Sequence, residues 1–77
     1  MTFKTFSENY LFSKPVPLAV TTRYSEEHEP VCVILIWEPS NQKWYQPKPM
    51  WGREEVGYLD TVTIDGVTHK IIDIREV

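Results

Sequence analysis

Seven consecutive apolar residues, Val31-Cys32-Val33-Ile34-Leu35-Ile36-Trp37, constrain this chain more than any other feature. Four are β-branched and the run closes on an aromatic ring, a composition that packs well on a pleated sheet. Pro30 and Pro39 bracket it. The run is shorter than an ordinary helix and far too short to cross a bilayer, so it reads as a strand apolar on both faces. Both faces need cover. The second is expected to be closed by the N-terminal arm or by a second copy in a homodimer.

A chain of 77 residues makes one domain, and at this size folding removes only about 60% of the unfolded surface from water. Hydrophobic residues at 42% and charged residues at 25% are ordinary globular usage, which argues against wholesale disorder. The single Cys32 excludes an internal disulfide framework and, inside the apolar run, reads as a buried, unreactive thiol. Residues 1–8 lack the continuous apolar core of a signal peptide, so a reducing, cytoplasmic location is the expectation.

Phe3, Phe6 and Tyr10 recur at helical spacing, but Thr2, Thr5, Ser7 and Asn9 are weak helix formers, so residues 1–14 are expected to be an N-terminal arm. Residues 16–77 carry the strands. Leu18, Val20, Thr22 and Tyr24 alternate with Ala19, Thr21 and Arg23, the two-residue period of a half-buried strand. The polar Ser25-Glu26-Glu27-His28-Glu29-Pro30 is a loop, and Glu38-Pro39-Ser40-Asn41 suits a turn that returns the chain as a hairpin. Lys43-Trp44-Tyr45-Gln46 is a short third strand, stopped by Pro47 and Pro49, and residues 51–57 are expected to hold one helical turn.

Asp65-Gly66 between two β-rich runs is the sequence of a two-residue type I′ hairpin. It predicts Ile64 opposite Val67 and Val62 opposite His69. Either a β-bulge near Lys70-Ile71-Ile72 brings Ile72 and Ile74 round to the face of Val62 and Ile64, or both faces of the hairpin are partly covered. Five strands in so short a meander predict an all-β fold, a small antiparallel SH3-like barrel first and an OB-like barrel or open roll second.

No catalytic, metal-ligating or phosphate-cradling pattern appears. Three glycines, at 52, 57 and 66, cannot build a phosphate loop, and neither Cys32 nor any serine sits in a recognisable nucleophile motif. The chain is therefore read as non-enzymatic, with no cofactor and no metal. His28, among three carboxylates, is a solvated loop residue, and His69 reads as a core-edge histidine.

Charge is the informative asymmetry. The net charge is −3, yet residues 40–53 hold Lys43, Lys48 and Arg53 and no acid, making that segment +3 and the remainder −6. Trp44, Tyr45 and Trp51 are interleaved with those cations. Adjacent strand residues face opposite ways, so only one of Trp44 and Tyr45 can be fully in the core. Lys43, Trp44, Tyr45, Lys48, Trp51 and Arg53 are thus the candidate partner-binding residues. Trp, Tyr and Arg dominate protein-binding hot spots, which favours another protein as partner. Weak binding of single-stranded nucleic acid, with bases stacked on the indoles, is the alternative. Small size and acidic balance also suit an inhibitor or adaptor of the kind phages and other mobile elements encode.

Overall fold

The alternation of Leu18, Val20 and Thr22 with Ala19, Thr21 and Arg23 becomes strand β1 (Val16–Arg23), and the apolar run becomes β2 (Val31–Glu38). The two pair antiparallel, with Leu18 opposite Leu35 and Val20 opposite Val33. In the computed structural model, which describes residues 1–50 and 52–77, helix α1 (Phe3–Asn9) precedes these strands. β3 (Lys43–Lys48), β4 (Gly52–Tyr58), β5 (Thr61–Ile64) and β6 (Val67–Glu76) follow them. Each strand pairs with its neighbours in sequence, and β6 returns to β1 to close a small antiparallel barrel.

Among the described residues six strands form where five were expected. The added one is β4, over the segment expected to hold a helical turn, and β3 runs through Pro47 instead of stopping before it. Proline is tolerated there because β2 and β3 part company after Ile36 meets Tyr45, leaving Pro47 on an outer strand with β4 as its sole partner among the described residues.

The Asp65-Gly66 hairpin takes the register its sequence specifies: Ile64 opposite Val67, Val62 opposite His69. Asp65 and Gly66 both have positive φ, at 50° and 80°, as a type I′ turn requires. The β-bulge is present, where β6 slips against β1 between Thr21 and Thr22. It carries Ile74 inward as expected. Ile72, however, is the extra residue and stays exposed, so Ile71 takes the inward place before the bulge and Ile74 the one after it.

Residues 1–14 are not simply an arm. Thr2 caps α1 by accepting a hydrogen bond from the Thr5 amide at 3.2 Å, and the helix lays Phe3, Phe6 and Tyr10 along one face. Phe6, only 1% exposed, plugs one end of the barrel, its ring 5.4 Å from Trp37 and 6.1 Å from Trp44. Phe3, Tyr10 and Phe12 surround it. Weak helix propensity is overridden because burial of a phenyl ring contributes about 1.5–3 kcal/mol, against a few tenths per residue for propensity. The segment is anchored at β6, where the Met1 ammonium meets Asp73 and the Ile74 carbonyl and the Ile74 amide donates to the Met1 carbonyl at 2.6 Å.

Because α1 closes an end of the barrel, it does not cover the outer face of β2. Leu35 and Trp37 point into the core, whereas Cys32 and Ile34 are exposed on the opposite face. Cys32 is therefore not the buried thiol its apolar neighbours suggested: a barrel this small has one interior, and the pleat puts Cys32 outside it.

Candidate interaction surface

β3 and β4 outrun the barrel. β2 pairs with β3 only at Ile36, Trp37 and Glu38, and β5 pairs with β4 only at Gly57 and Tyr58. The pairs Gln46 with Glu54, Pro47 with Arg53 and Lys48 with Gly52 consequently form a two-stranded ribbon beyond the barrel wall. A bulge against Trp44 and Tyr45 bends β4 at the root of the ribbon. Below the bulge, Gly57 lies so close to β5 that a methyl group on it would meet Val62 Cα at 2.9 Å, Val62 Cγ1 at 2.5 Å and the Thr61 carbonyl oxygen.

An isolated two-stranded ribbon is marginal in water, and this one carries a ladder of ion pairs. Lys43 Nζ lies 2.9 Å from a Glu55 oxygen, Lys48 Nζ 3.1 Å from Glu54, and the Arg53 guanidinium 2.9 Å from Glu38. The Arg53 guanidinium also sits 4.4 Å from the centre of the Tyr45 ring, whose hydroxyl accepts a 2.9 Å hydrogen bond from the Asn41 amide. Arg53 holds the Glu38 carboxyl below its usual range, and Glu55 raises the Lys43 ammonium above its own. Ion pairs at a protein surface add little to stability, so their main effect is to fix side-chain positions and cancel charge. The three cations of residues 40–53 are met by three carboxylates at 38, 54 and 55.

The six residues singled out in the sequence therefore separate. Lys43, Tyr45, Lys48 and Arg53 share the ribbon and its root, with Tyr45 and Lys48 half-buried and Arg53 exposed. Trp44 does not join them. It is 0% exposed, and its indole Nε1–H donates to the Leu59 carbonyl at 2.7 Å, tying β3 to the turn before β5. Tyr45 is accordingly the aromatic that faces out. Trp51 lies outside the described residues. Met50, at the tip of the ribbon, is 80% exposed.

Sequence reasoning took Glu54 and Glu55 for solvated charges that could frame the patch, and missed both Glu38 and the pairing of all three with the cations. The two lysine pairs are diagonal neighbours across β3 and β4, visible only once β4 is recognised as a strand. It also missed a second concave surface of about 550 Å³ lined by Tyr24, His28, Glu29, Val31, Ile64 and Val67, with Asp65 and His69 completing it. Here His69 Nδ1 is hydrogen-bonded to the Thr22 hydroxyl at 3.0 Å, the satisfied core-edge arrangement its position suggested. Ser25 and His28 are hydrogen-bonded within one exposed turn, with the imidazole packed edge-on against Tyr24. Among the described residues no carboxylate is hydrogen-bonded to that imidazole, so the contact closes the turn and assembles no triad.

No group of three His, Cys, Asp or Glu side chains among the described residues is placed to hold a metal ion. No helix among them is long and apolar enough to cross a membrane. Comparison of the chain with known protein families, curated proteins and solved structures finds no match.

Proposed function

We propose that this chain is a small non-enzymatic interaction module, used in the manner of SH3-like barrels, that binds a partner protein through the outer face of the β3–β4 ribbon. The observation that carries the proposal is the pairing of all three segment cations with carboxylates around an Arg-capped tyrosine. A polyanion binder needs uncompensated positive charge along its groove, and here the charge is cancelled within the ribbon itself. Tyr45 and Arg53, held in fixed geometry, instead supply the residue types that bury large area at small entropic cost. Pro47 and Pro49 stiffen the ribbon, and Met50 offers an adaptable apolar tip. An exposed single thiol on β2 is in keeping with a reducing, cytoplasmic setting, and the dimensions suit an inhibitor or adaptor such as mobile elements encode.

The experiment is affinity purification from the native host with wild type and with a Tyr45→Ala/Arg53→Ala variant whose fold is verified by circular dichroism. Calorimetry with the purified partner follows. A partner held by wild type and lost by the variant is the expected result. Equal binding by both, or saturable Trp quenching by a mixed single-stranded oligonucleotide at low salt, would overturn the proposal.

A further inference from the structure

The far half of β2 is an open sheet edge. Residues 31–35 have ladder partners in β1, whereas β3 leaves β2 at Tyr45, so on its other side this stretch meets no strand among the described residues. In an antiparallel ladder roughly alternate residues direct their N–H and C=O groups to each side, so the edge offers a row of backbone donors and acceptors.

A groove follows that edge. At one end it is a cleft between Val33, Leu35, Val56 and Ile64, with Asp65 at its border. At the other it widens into the cup of Tyr24, Val31, Val67 and His69, which shares Ile64 and Asp65 with the cleft. Histidines aside, the charged side chains lining both parts are Glu29 and Asp65, both acids. Glu27 is exposed in the same loop as Glu29, and Glu26 there meets Arg23 only at 3.8 Å. Gln46 and Thr63 also line the cleft, so the groove is mostly apolar along its floor and acidic at its rim.

We infer that this edge takes up an extended segment of a partner protein in which apolar residues alternate with lysine or arginine. The segment adds as a strand to residues 31–35. Its apolar side chains enter the cleft and cup, and its cations meet Glu29 and Asp65. Charge decides against a second copy as occupant. The chain carries −3 overall, and the cations of its ribbon are already paired, so another copy brings an acidic surface to an acidic rim. The inference shares the protein-binding premise of the ribbon proposal but concerns a different surface, and residue-resolved readouts separate the two.

The test uses full-length protein and three synthetic peptides: alternating valine and lysine, alternating valine and glutamate, and the valine–lysine peptide interrupted by a central proline. Amide shifts and hydrogen exchange are followed by NMR, after sedimentation of the free protein. The valine–lysine peptide is expected to slow exchange at residues 31–35 and shift Ile64 and Val67, while the other two leave these amides unchanged. Glu29→Lys with Asp65→Asn should weaken it at least about tenfold. Asparagine at 65 retains the positive φ of the turn, and Glu29→Gln alone serves if the double variant misfolds. Four results would overturn the inference: no response at residues 31–35, equal binding of the acidic or proline-broken peptide, an unaffected charge variant, or a free protein already dimeric with that edge protected. Shifts confined to residues 45–55 would also overturn it while leaving the ribbon proposal standing.

Discussion

Replacing Phe6 by alanine removes the plug that joins α1 to the barrel. The side chain is 1% exposed and packs against five aromatic rings, those of Phe3, Tyr10, Phe12, Trp37 and Trp44, at centroid distances of 5.4–6.1 Å. Lost transfer energy and the cavity left behind together cost about 3–5 kcal/mol for a buried phenylalanine. A domain of this length has a total stability of about 4–12 kcal/mol, so Phe6→Ala should remove a quarter of it or more. Urea unfolding followed by near-UV circular dichroism measures the loss, since Trp37 and Trp44 both touch the deleted ring. Leu11→Ala, at a site 92% exposed, is the control and should change little. If α1 detaches instead of leaving a void, the helical signal disappears first and the unfolding slope falls, while the barrel transition persists. A Phe6→Ala variant within about 1 kcal/mol of wild type, with helical signal intact, would refute the plug.

Gly57→Ala should destabilise by about 1–3 kcal/mol or more in the same assay, because its methyl group would collide with backbone atoms of Thr61 and Val62 as well as a side chain. Trp44→Phe loses the bond to the Leu59 carbonyl and part of the ring, an expected cost of about 2–3 kcal/mol by urea unfolding. Glu38 is held below its usual pKa by its hydrogen bond to Arg53, and Asp73 by its bond to the Met1 ammonium. A carboxyl depressed in the folded state stabilises fully above its unfolded pKa and loses that contribution as pH falls through the folded one, so stability should decline below about pH 4. Glu38→Gln should flatten part of that acid limb in a pH series of thermal melts. Lys43 is raised by Glu55, so its contribution is complete below its unfolded pKa and fades as pH rises above about 10.

Local pattern was legible wherever one face of an element is dry and the other wet. β1 and the Asp65-Gly66 hairpin show this: alternation gave the inward residues Leu18, Val20, Thr22 and Val62, and turn chemistry gave the register. Where both faces are solvated, the pattern disappears. Gly52-Arg53-Glu54-Glu55 has no apolar alternation because the ribbon has no core side, so β4 could not be read as a strand. α1 was obscured for the opposite reason: its helix exists for the sake of one buried ring, which propensity does not register. The candidate surface was half legible. Composition located Lys43, Tyr45, Lys48 and Arg53, but the carboxylates that cancel their charge stand just outside the basic window, at 38, 54 and 55. Trp44 went inward and Tyr45 outward, a choice that strand alternation poses but only the position of α1 and its aromatic cluster decides.

Hydrogen exchange of the free and partner-bound protein, resolved by residue, tests the proposed function most directly. A two-stranded ribbon without neighbours should exchange faster than the barrel when free. With the captured partner bound, the amides of Gln46, Lys48 and residues 52–55 are expected to slow while the already protected core strands change little. A bound complex in which those ribbon amides exchange as fast as in the free protein would contradict the assignment of the partner surface to β3 and β4.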